Sequence, residues 1–399
     1  MSRPYDVMAA GHLCLDVIPR FPDTGATQIA EIMRPGKLVN IEEAVVSTGG
    51  PVSNTGLNMK TLGNKVCFCA RTGDDVFGKI TIDMLRRSGN ADGIHVVEGA
   101  ASSYTLAIAP PNIDRIFLHC PGTNNEFGPE DLDPELIARC RHFHFGYPPL
   151  MRRMYGDVGE GLRRVFQIAK EAGATTSCDM TLPDPASPSG KVDWLAVLGK
   201  VLPQVDLFLP SVEEAFYMID PAGFLRMKRN HDDAELIDFI SPGQYSEIAD
   251  RLLSLGSKVV SLKSGHRGFY LKTGSRGAFE GLGAARPGDP DNWSGRELWA
   301  PAFEVPEFGS ATGSGDSAIA GLLSAYLRGL KIEEALTYAT CCGLQNVQVL
   351  DAVSGIRPWE ETTAMLAADM PLIDAHVNAE GWRWLEEHRL WAGPHDVLS

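Results

Sequence analysis

Ser310-Ala-Thr-Gly-Ser-Gly-Asp-Ser-Ala-Ile-Ala-Gly321 sets Gly313 and Gly315 directly before an acid, Asp316, and an apolar helix. Ile319, Leu322, Leu323, Tyr326, Leu327 and Leu330 recur at helical spacing behind it, so one face of that helix is core. Two readings of Asp316 follow. An Asp at a helix start is a common N-cap. Alternatively, the backbone N–H groups of Gly313, Ser314 and Gly315 form an anion hole at the helix N-terminus, and Asp316 accepts a proton beside it. Spacing alone leaves both open. Residues 313–318 also fit G-x-G-x-x-A, but a second helix (332–350) follows in place of a strand ending in a ribose-binding acid. That context argues against a dinucleotide site.

Working outward, short apolar runs at 7–10, 66–70, 142–145, 175–178, 206–209 and 258–262 read as buried strands, with amphipathic helices between them. In 155–173, Val158, Leu162, Val165, Phe166 and Ala169 share one face, and Gly173 closes the helix. Such alternation predicts an α/β fold, a doubly wound and mostly parallel sheet flanked by helices, with ligands at the carboxyl ends of the strands. We read residues 1–399 as a single domain. Segments 16–48 and 100–120 break the pattern and predict a small β-sheet lid. Segments 220–243 and 274–298 read as surface insertions. The extension 371–399 carries Trp382, Trp384 and Trp391, which predict a docked C-terminal helix.

The net charge of −15 argues against nucleic acid or an anionic membrane surface as partner. No window reaches the roughly 18 apolar residues of a membrane span, and the start lacks a signal peptide's apolar run. With eight cysteines and no C-x-x-C, the expectation is a reducing, cytoplasmic setting without a structural metal. His142-Phe-His144 reads as strand content more readily than as a metal site.

A second glycine cluster, Gly49-Gly50-Pro-Val-Ser-Asn54, opens another helix. Adjacent glycines followed by an amide suit a polyol, whose hydroxyls take backbone and side-chain partners. The plainer reading is a turn feeding a helix capped by Ser53 or Asn54. Asp16, after the first strand, is either a hydroxyl-binding acid or a surface turn residue.

Together the two clusters resemble the signatures of ribokinase-type (PfkB) carbohydrate kinases, in order, over roughly residues 5–370. Gly49, Gly50, Asn54, Gly63 and Gly73, which opens "GDDVFG", are similar to the N-terminal signature, and Thr312, Gly313, Gly315 and Asp316 to the C-terminal one. Pro210-Ser-Val-Glu-Glu214 resembles the family's P-N-x-x-E element, and Lys263 to Gly268 its nucleotide-binding turn. The resemblance implies ATP- and Mg²⁺-dependent phosphorylation of a sugar or sugar-like hydroxyl. Asp316 would be the base and Gly313–Gly315 the anion hole. Asp16, Gly49, Gly50 and Asn54 would bind substrate, and Lys263, Gly265, Gly268 and Gly343 the nucleotide. Glu214 would act on the Mg²⁺ side through water. A homodimer through the lid is also implied, since pairing hides the lid's open edges.

The chain departs from the pattern at Ser310, Ala311, Ser211 and Pro183. The first removes a carboxylate often linked to a monovalent cation, so no such cation is carried over. A nucleoside kinase, or a protein that binds sugar and nucleotide without turnover, are the competing readings. Arg115 in the lid segment is a candidate partner for a substrate carboxylate.

Overall fold

The structure, a computed structural model, describes residues 3–113, 116–232, 234–377 and 379–398. Arg115 lies outside them. Its strands in chain order are β1 (Tyr5–Gly11), β2 (Cys14–Ile18), β3 (Val45–Gly49), β4 (Val66–Gly73), β5 (Asn90–Val97), β6 (Tyr104–Ile108), β7 (Ile116–Cys120) and β8 (Cys140–Gly146). They continue with β9 (Thr175–Asp179), β10 (Leu207–Phe208), β11 (Val259–Lys263), β12 (Phe269–Thr273), β13 (Glu297–Ala300), β14 (Arg383–Leu385) and β15 (Leu390–Ala392). Among the described residues they build two sheets. The larger runs β14-β15-β13-β12-β11-β10-β9-β8-β1-β4-β5, and the smaller β3-β2-β6-β7.

From β11 through β5 the large sheet is parallel, so its strands all deliver their carboxyl ends to one edge. Alternate residues of β1 explain why it is covered on both faces. Met8 and Ala10 join one buried cluster with Phe143, Phe145, Leu162, Val165 and Phe166, and Val7 and Ala9 join another with Phe68, Ile319, Leu322 and Leu323. Near-continuous apolar strands are what two covered faces require. The six strand expectations hold.

The helix Arg152–Glu171 buries Leu162, Val165, Phe166 and Ala169 as its pattern predicts, but Val158 is 43% exposed. Its backbone leaves the helical region between Gly156 and Gly159, which turns Val158 off the apolar face.

The tail differs from expectation as well. Trp384 and Trp391 lie on a hairpin, not a helix, and Trp382 just before it packs edge-on against Trp299, rings 6.0 Å apart. A short turn lets Trp384 pair with Trp391, rings 5.5 Å apart, and β15 adds to the open edge of β13 through Leu298 and Trp299. Period-two alternation across that edge outweighs helical docking. The 274–298 segment is also tied down. Trp293 is fully buried and donates to the Leu330 carbonyl at 3.0 Å, and the Arg296 guanidinium sits between Glu333 at 2.7 Å and Asp396 at 3.0 Å. Within 220–243, the helix Pro221–Asn230 buries Phe224.

No helix among the described residues is long and apolar enough to cross a membrane. His142 and His144 are wholly buried, share the Ser177 hydroxyl at 2.7 and 2.8 Å, and are pushed by burial to about 3. No group of three or more His, Cys, Asp or Glu that could hold a metal occurs among the described residues.

Candidate active site

The parallel strands end side by side. Gly11 pairs with Gly146, Gly146 pairs with Asp179, and Ser211 bridges to Lys263. Over this edge stands the helix Ser314–Leu327, whose N-cap is Gly313 with φ 75°, a left-handed turn suited to glycine. Any side chain there would also run into Ala352. Asp316 is therefore not the cap but the third residue of the first turn, and 1% exposed.

Its carboxylate makes no cap bond. Oδ2 accepts from the Asn54 amide at 2.9 Å and the Tyr147 hydroxyl at 2.8 Å, and Oδ1 accepts from the Thr55 hydroxyl at 3.3 Å. The N-cap reading of Asp316 is thereby corrected. The Ser314 N–H is spent on the Ala311 carbonyl at 3.2 Å, so it drops from the expected anion hole. The N–H groups of Gly313, Gly315 and Asp316 find no acceptor among the described residues and remain to meet an anion at the positive end of the helix.

The helix Pro51–Thr61 brings Asn54 and Thr55 to Asp316. It starts after Gly50 with no side-chain cap, and the Ser53 hydroxyl bonds to the Gly50 carbonyl at 3.3 Å. Asn54, expected to hold a hydroxyl group of a ligand, thus spends an N–H on the acid instead. Gly49 has a different reason to lack a side chain: a Cβ would run into the Asp16 carboxylate.

Asp16 is on the small sheet, in one row with Ser47, Thr105 and His119. That row faces the large sheet, since His119 Nε2 lies 3.3 Å from Nε2 of His12 in the turn after β1. The His119 ring also contacts the Thr105 hydroxyl at 3.0 Å. Burial raises the Asp16 carboxyl above its usual range, against hydrogen bonds from Cys14 and Thr105.

Lys263 ends β11 and is the one ammonium among three carboxylates that act on it: Asp179, Glu214 and Asp316. Its Nζ pairs with Asp179 and lies 3.9 Å from Glu214, while its side chain runs beside Gly315. Burial, partly offset by Lys263, raises the carboxyls of Asp179 and Glu214. Asp316 is raised by burial too, and the Asn54 amide, Lys263, Tyr147 and Thr55 oppose the rise. Glu214 is half committed locally: its Oε2 accepts the Ser211 N–H at 2.6 Å in a capping box.

A cleft of about 1110 Å³ runs between the two sheets. Asp16, Thr105 and Phe117 line it on one side, and Lys263, Gly315 and Gly343 on the other. Gly265 and Gly268, with φ of 51° and 94°, form its rim in the turn between β11 and β12. Of the expected site residues, Asp16, Lys263, Gly265, Gly268, Ser314, Gly315 and Gly343 line this cleft, while Asp316, Gly313, Asn54, Gly49, Gly50 and Glu214 are not part of its lining. Sequence reading assigned no site role to Tyr147, Thr55, His12, His119 or Asp179. Of these, Asp179 had a signal, as an acid ending a buried strand.

The model of the pfkB family carbohydrate kinases matches residues 6–359. "Probable fructokinase-3" of Arabidopsis thaliana is 27% identical over 186 residues, 46% of this chain and 50% of that protein. The chain spans about half the length of most curated relatives it matches. Among solved structures, Arabidopsis thaliana ribokinase complexed with ribose and ATP superposes with a TM-score of 0.66 at 16% identity, over 92% of this chain and 99% of that one. A putative ribokinase II from E. coli in complex with ATP and Mg²⁺ gives 0.65 at 18%, over 91% and 99%.

Proposed function

The chain belongs to the pfkB family of carbohydrate kinases, and on that footing we propose that it transfers the γ-phosphoryl group of ATP to a hydroxyl of a sugar. One observation supports this most: a buried carboxylate, held by three donors, sits in the first turn of a helix whose unbonded N–H groups include that of Gly315, a residue lining the cleft. Phosphoryl transfer asks for positioning and charge stabilisation, plus a base for the weak nucleophile.

In the proposed reaction the acceptor O–H bond breaks as its proton passes to Asp316. The oxygen's electron pair forms the new bond to the γ-phosphorus, and the bond to the β–γ bridging oxygen breaks with its electrons leaving on ADP. The N–H groups of Gly313, Gly315 and Asp316 stabilise the charge on the transferred group. Asp16, Gly49 and Gly50 face the acceptor side, and Gly265, Gly268, Gly343 and the Lys263 side chain the nucleotide side.

Asp179 and Glu214 both face Lys263, and Asp179 Oδ2 has no hydrogen-bond partner among the described residues. That donor set fits Mg²⁺ held through water and phosphate oxygens rather than by a cage of side chains. When bound, Mg²⁺ would neutralise phosphate charge. Ser310 offers no carboxylate for a monovalent cation.

The small sheet is proposed as the lid. Its inner row is the polar set Ser47, Asp16, Thr105 and His119; its outer row is Val46, Val17, Leu106 and Leu118, with Val46 45% and Leu118 52% exposed. An apolar outer row on a small sheet supports a homodimer through the lid.

The test is ADP release from Mg-ATP across fructose, other hexoses, pentoses, sugar acids and nucleosides. Release that appears only with a sugar is the expected result. Release with nucleosides alone reassigns the acceptor, and no release with any of them favours a binding protein.

A further inference from the structure

The carboxylate of Asp316 is held unevenly. Oδ2 takes two short hydrogen bonds, from Asn54 and Tyr147, and Oδ1 one long bond from Thr55. Tyr147 comes from a different part of the chain than the other two donors, and its backbone is unusual. It follows Gly146 at the end of β8 with φ 61° and ψ 45°, a left-handed conformation that an aromatic residue rarely adopts. Pro148 follows, which bars the ordinary helical region to it.

The approach is also shaped by Gly146. A Cβ there would collide with Pro51, the first residue of the helix that carries Asn54 and Thr55. The bare glycine lets the end of β8 close on that helix, and the left-handed turn then aims the Tyr147 hydroxyl at the acid. Two elements separate in sequence thus converge on one oxygen.

We infer that Tyr147 is a positioning residue, which with Asn54 anchors Oδ2 of Asp316 and so leaves Oδ1 as the oxygen that takes the acceptor's proton. The inference rests on the reading of Asp316 as base. A donor to a carboxylate favours its ionised form, so Tyr147 keeps the base available at lower pH. The other groups facing Asp316 are Lys263 from β11, Asp179 from the end of β9 and Glu214 from the helix Val212–Ile219, and the His12 ring lies 6.2 Å from the Tyr147 ring. None of these supplies a second hydroxyl to Oδ2.

The experiment measures kcat/KM against pH for the full chain and for Tyr147→Phe, with Asp316→Asn in parallel. Losing the donor raises the pKa of the base, so the acid-side decline of Tyr147→Phe should move to higher pH by about one to two units. Below that decline turnover should fall at least about tenfold, while the KM for Mg-ATP stays within about twofold. Tyr147→Asn is the second variant, since Asn tolerates the left-handed backbone but is too short to reach the acid; it should show the same shift if Tyr147→Phe fails to fold. A profile superimposable on the parent's, or lowered by one factor at every pH, overturns the role of Tyr147. If Asp316→Asn turns over normally, the base assignment itself has failed, and the inference falls with it.

Discussion

The two sheets of this chain handle exposure in opposite ways. In the large sheet alternate residues such as Met8 and Val7 both end in buried clusters, because helices cover both faces. In the small sheet one face turns Asp16, Thr105 and His119 toward the cleft, and the other leaves Val46 and Leu118 to solvent. The large sheet therefore fixes atoms: Gly11, Gly146, Asp179 and Lys263 are held in register at its edge, and Asp316 is bonded from two elements. The small sheet covers. On the proposed reading, chemistry resides on the edge of the large sheet, while access and association reside on the sheet that lacks a second cover.

The largest effect that can break this division is Asp316→Asn. The amide keeps the shape but cannot take a proton, so kcat should fall about 10²- to 10⁴-fold. Stabilisation of the fold by Mg-ATP should persist, because the helix N–H groups remain. Near-normal turnover with an accepted sugar would remove chemistry from the edge of the large sheet. A smaller change sharpens the other half. Leu118→Asp places a charge on the outer row of the small sheet without touching the inner one, and should convert a dimer to a monomer in solution scattering. A parent protein that is already monomeric at micromolar concentration contradicts association through this sheet.

Much of the large sheet was legible, because strands buried on both faces are nearly continuous apolar runs, as at Val66 to Ala70. The small sheet was legible only as a break in that pattern. The tail was misread because isolated tryptophans carry no period, and the strand edge they extend, at Leu298 and Trp299, is 80 residues and more away in the chain. The site divides likewise. Glycines at Gly49, Gly50, Gly313 and Gly315 mark themselves by spacing. Tyr147 does not, since nothing local in "HFGYPP" tells that its hydroxyl meets an acid 169 residues on. Asn54 and Asp316 were each found but their pairing was not, for the same reason: side-chain pairing across the core is set by packing, not by spacing.

The central claim is that a sugar hydroxyl, rather than water, receives the phosphoryl group on Asp316's side of the cleft. Phosphorus NMR of the protein with Mg-ATP and an accepted sugar tests it most directly. The account predicts one sugar phosphate ester formed for each ADP, absent in Asp316→Asn. Equal amounts of ADP and inorganic phosphate, with no ester for any sugar, would contradict it.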